Sequence, residues 1–200
     1  SAFAGASQVA VPFEVAGKIT VTLEDRDVVA AETALMGSGF AGLLVETRGA
    51  TAYVGGLGPD AVRYIAAVSE TVASKGKQVS VAVHVARSEP PMTSAGELET
   101  RVLELLPRLA TGRIAAGQWA LYPLASDVSE LDQAGHRHIL GRAVRVAQAA
   151  GICQEATDNG ARVAGDLGAV LAGTFAGWAT TGRCAHQITS YLNLVLNRPD

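Results

Sequence analysis

Four histidines and two cysteines are the side chains best suited to metal binding or nucleophilic chemistry, and their spacing assembles neither. His136 and His138 flank Arg137 in a segment that reads as helix. Side chains two apart on a helix do not share a face, so the pair is poorly placed to chelate a metal, and surface or capping roles are expected. Cys184 and His186 stand apart from that pair. Cys153 precedes Gln154 and Glu155 with no histidine at helical spacing to activate its thiol, so a small core residue is expected. Gly37 to Gly42 matches GxGxxG, but the dinucleotide fingerprint needs a strand before it and a helix after it. Here a helix precedes and a strand follows, which reads as a helix end and a turn. Glu24, Asp25 and Asp27, like Asp127, Glu130 and Asp132, gather near helix starts, where the helix dipole favours carboxylates. An N-terminal nucleophile at Ser1 is not expected, because the segment after it is small and flexible in character. No catalytic residue, metal or cofactor is therefore expected.

The elements that would hold any site follow from periodicity. Lys18–Leu23 alternates and is rich in β-branched residues, predicting a strand. A helix over Val28–Met36 follows several N-cap choices, and Gly37 stops it. Short strands are predicted at Leu43–Glu46 and Thr51–Val54, joined by a polar turn at Thr47, Arg48 and Gly49. Pro59 suits the first turn of a helix running to about Ser74, and Val79, Val81, Val83 and Val85 then mark a half-buried strand. An edge strand is also predicted around Val9–Val15. The order β-α-β-β-α-β is that of ferredoxin-like domains. The Pro/Ser-rich stretch at 88–94 reads as a linker between a domain at 1–91 and a region at 95–200. Beyond it the pattern predicts a helix over Glu97–Leu109, a short strand at Trp119–Leu124, and an almost wholly helical stretch from Val128 to Leu196. Gly160, Ala164, Gly168, Ala172, Gly173, Ala176 and Gly177 recur at near-helical intervals, as in closely packed helices. No internal repeat is evident. The expected fold class is α+β, a ferredoxin-like first half followed by a mainly helical second half.

Composition narrows the function. A net charge of −3 gives no footprint for nucleic acid. The apolar stretch from Leu167 to Thr180 falls short of the ~20 residues a bilayer demands, and no signal peptide is expected. Two widely spaced cysteines fit a reducing cytoplasm. Aromatic residues make up only 5%, so an Ala- and Gly-rich core gains little area per residue and favours burial by oligomerisation.

Ile19–Met36 and Ala52–Arg87 resemble the opening strand and helix, and the closing strand–helix–strand, of the bacterial microcompartment shell domain. The resemblance implies a structural, self-assembling homo-oligomer of six or three subunits. Its central pore would be ringed by Thr47, Arg48 and Gly49, selective for small anions, with Arg87 near the subunit interface. It also implies contacts with other shell or cargo proteins. This chain has Ala34-Leu35-Met36-Gly37 where the family usually carries a lysine, and its residues after Pro91 match no part of that domain. The alternative reading is a cytoplasmic homo-oligomeric enzyme or small-ligand-binding protein with a site between the halves. Its polar groups would be His84, Arg87, His136 and His138. A third is a hetero-oligomer subunit whose small-residue helices pack on a partner.

Overall fold

A computed structural model describes residues 14–37, 39–87, 93–123, 133–183 and 188–199. Among them the strands are β1 (Val15–Leu23), β2 (Leu43–Arg48), β3 (Thr51–Gly56), β4 (Val79–Arg87), β5 (Ile114–Pro123), β6 (Cys153–Thr157), β7 (Gly160–Asp166) and β8 (Ile188–Leu196). The helices are α1 (Val28–Met36), α2 (Gly58–Ala73), α3 (Ala95–Leu103), α4 (Gln133–Ala149) and α5 (Leu167–Thr181). Most of the predicted strand at Val9–Val15 lies outside the described residues.

All eight strands form one antiparallel sheet in the order β2-β3-β1-β4-β8-β5-β7-β6. The order reads the same from either end if β1 to β4 are exchanged for β5 to β8. The chain therefore carries β-α-β-β-α-β twice, with α3 inserted between the copies. The backbone repeats in detail. Gly56 and Gly165 both take φ near +150° (150° and 145°), a region reserved for glycine, and each precedes an extended residue that starts a helix. An approximate two-fold axis passes through the β4–β8 pair, where Val83 faces Leu192.

This overturns the expected mainly helical second half. Residues 95–200 contribute four strands, and the Val128–Leu196 stretch holds three of them alongside two helices. The reason lies in the pattern of each segment. β8 alternates cleanly, with Ile188, Ser190, Leu192, Leu194 and Leu196 buried, but its leucines and asparagine are weak strand formers. β6 is a mostly exposed edge strand with no apolar alternation to read. Gly160 and Ala164 of the small-residue series lie in β7, and only Gly168 onward belongs to a helix.

The helices cover one sheet face. Inward positions of the strands, such as Ile19, Val54, Val83, Leu121 and Leu194, pack beneath α2 and α5 in one core. α5 is buried all round, being roofed by α3 and α4 as well as resting on the sheet. Its Asp166 cap accepts from Gly168 N and also from Thr111 N and Gly112 N, tying the helix start to the turn before β5. That network holds the Asp166 carboxyl below the usual carboxylate range against the opposing pull of burial. No helix is long and apolar enough to cross a membrane among the described residues.

Candidate functional site

A sizeable cleft lies on the helical side, where α3 and α4 diverge above the C-terminal end of α5. Its volume is about 730 Å3, within the 300–1,000 Å3 typical of small-ligand sites. The floor is apolar: Leu103 and Leu106 from α3 and the turn after it, with Val146, Ala149 and Ala150 from α4 and its end. The rim is cationic. His138, Arg142 and Arg145 project from one face of α4, as spacings of four and three residues require. Arg183, just past α5, closes the rim with Glu99 of α3 at 3.5 Å. Glu99 partly neutralises Arg183. No hydrogen bond or ion pair joins Arg142 or Arg145 to a partner among the described residues. Arg142 and Arg145 thus line the cleft without a partner among the described residues, and guanidinium forks of this kind suit a carboxylate or phosphate.

The sequence-derived residues fall in three places. Thr47 and Arg48 end β2 at a sheet edge and Gly49 opens the turn to β3, with Gly49 at φ +56° and Arg48 79% exposed beside Glu46 at 3.9 Å. Arg87 points into the helical layer. It donates to the carbonyls of Trp178 and Ala179 at 2.8 and 2.6 Å and lies 4.7 Å from the Trp178 ring centroid. A cation there suits the negative end of α5, although burial pulls its pKa down to about 10. His84 faces the opposite way, on the sheet surface that carries no helix among the described residues, with its ring 4.4 Å from that of Tyr191. Burial, and secondarily Lys18, hold its imidazole below the usual range.

His136 is half-buried on α4 and does not line the cleft, whereas His138 does. The structure thus separates His84 from His138 by the full thickness of the sheet and never gathers the four groups into one site. Cys153 is half-buried on β6, while Ser1, Cys184 and His186 lie outside the described residues. No group of three metal-ligating side chains converges among the described residues.

Sequence reasoning missed Arg142, Arg145 and Arg183. Their signal was the helical stripe His138, Arg142, Arg145, Ala149, in which two cations interrupt an otherwise amphipathic face. Its meaning depends on α3 standing opposite. No family model matches the chain, and comparison with curated proteins found no match.

Proposed function

We propose that this protein binds a small amphipathic organic anion, its charged group on Arg142 and Arg145 and its apolar body against Leu103, Leu106 and Val146. The observation that carries this reading is the pairing of uncommitted arginines with an apolar floor in one cleft of about 730 Å3. Two arginines over an apolar floor are suited to holding an anion, which favours binding. Arginine is the residue suited to such a ligand, because its planar fork meets carboxylate or phosphate oxygens in two places.

The test is a fluorescence titration with 1-anilinonaphthalene-8-sulfonate, an anion with an aromatic body. Saturable binding to the native protein is expected, with Kd raised about tenfold or more by the double substitution Arg142→Gln, Arg145→Gln. Leu106→Asp should weaken it comparably by placing a carboxylate in the floor. An unchanged Kd in both variants would sink the reading.

A further inference from the structure

The sheet surface opposite the helices has the anatomy of an interface. On the central strands β1, β4, β8 and β5, Lys18 is the only full charge among the described outward positions. The others are alanines, small polar residues, His84, Gln118, Asn193, the aliphatic Ile114 and Val195, and the tyrosines Tyr122 and Tyr191. Other full charges stand toward the edges, as Glu46 with Arg48 on β2 and Glu155 with Arg162 across β6 and β7, and at Arg198, which follows β8 and lines a groove with Gln118 and Val195. A water-exposed antiparallel sheet normally carries long polar side chains throughout its outer face. An uncharged centre holding tyrosines within a charged rim is instead the composition of a buried protein contact. Tyr122 is 47% exposed and meets Tyr191 edge-on at 5.4 Å.

We propose that this face packs against the same face of a second copy of the chain, sheet on sheet, to form a two-fold dimer. Three features select a second copy. Eight strands at about 4.8 Å spacing and ~22 Å mean length present roughly 800 Å2, matching the ~800 Å2 each partner buries in a stable complex. The face already repeats under its own approximate two-fold axis, so a rotated copy meets similar backbone shapes on both sides. Each edge pairs one cation with one anion, so a second copy encounters no block of like charge. The small residues Ala82 and Ala120 near the centre permit the ~10 Å separation of stacked sheets.

Light scattering coupled to size-exclusion chromatography tests the proposal. The native protein is expected at twice the 20.5 kDa chain mass. Ala82 and Asn193 face each other across the β4–β8 pair. An arginine at either position would meet its own symmetry mates in an uncharged centre. Ala82→Arg and Asn193→Arg should each weaken the dimer about a hundredfold or more, with circular dichroism unchanged. Asn193 is exposed, so the second variant decides the matter if Ala82→Arg does not fold. A monomeric native protein overturns the proposal. So does a dimer that persists in Asn193→Arg, because it would have to use a sheet edge or the helical side.

Discussion

Single side chains here are explained by what burial forces on them. Tyr64 of α2 is fully buried and donates its hydroxyl to the Leu35 carbonyl at 2.5 Å, pinning the end of α1 onto α2. Burial pushes its pKa up to about 12. The neutral phenol is thus favoured by folding: its contribution is complete below pH ~10, where the unfolded phenol ionises, and is lost as pH rises through about 12. The expected outcome is a fall in unfolding free energy across that window on the order of 2 kcal/mol, which Tyr64→Phe abolishes while costing about 1 kcal/mol at neutral pH for the orphaned carbonyl. Urea titrations at pH 7, 10 and 11.5 check it, and a Phe variant with the native alkaline loss would contradict it. His84 and Arg87 show how far residue type alone reaches. Both were chemically conspicuous in the sequence, yet one lies on the open sheet face and the other is spent on the end of α5.

At the scale of elements, α5 shows why its small residues are small. A Cβ at Gly177 would stand 2.6 Å from Trp119 Cη2 and 2.8 Å from the Ala143 carbonyl oxygen, so α4, α5 and β5 approach only because that position is bare. Gly177→Ala should destabilise by about 1–3 kcal/mol, since overpacking outweighs the better helix propensity of alanine. Gly141→Ala on α4 meets only the mobile end of Arg145 at 3.4 Å and should be neutral or slightly stabilising. Denaturant midpoints of the two variants measure the contrast, and equal midpoints would refute the close-approach explanation. The near-helical spacing of small residues was legible, but it ran from β7 into α5 without a visible break. Gly160 and Ala164 serve strand pairing instead. A Cβ at Gly160 would press on the Trp119 carbonyl, which no count along the chain reveals.

For the whole molecule, the two repeats share a sheet through β4 and β8 and a polar staple at one end. Arg113 donates to Glu70 of α2 at 2.8 and 3.0 Å and to Asn197 Oδ1 at 2.8 Å. Asn197 in turn donates to the Ala73 and Lys77 carbonyls at 2.6 and 2.9 Å. Asn197 adopts φ +54°, which asparagine tolerates better than most residues. Because the staple and the β4–β8 seam both bridge the repeats, unfolding is expected in one transition. Fluorescence of Trp119 and Trp178, both in the second repeat, should coincide with far-ultraviolet circular dichroism of the entire chain. Asn197→Ala should lower both curves together by about 1–3 kcal/mol through lost bonds and backbone strain. Separated transitions would show that the repeats are energetically independent.

The sequence by itself determined β1 through β4 with α1 and α2, and a run of N-cap candidates from which the fold takes Asp27. These features are local: alternation, the three-to-four spacing and capping act within a few residues. The tertiary structure alone decided the duplication, the inward turn of Arg87, the parting of His84 from His138 and the arginine-rimmed cleft. Each depends on pairing between distant segments, as when Val79–Val85 meets Ser190–Leu196. Strand pairing and shared burial, rather than local pattern, choose which face a side chain presents, and that choice separated a half that reads as helical from a second copy of the same fold.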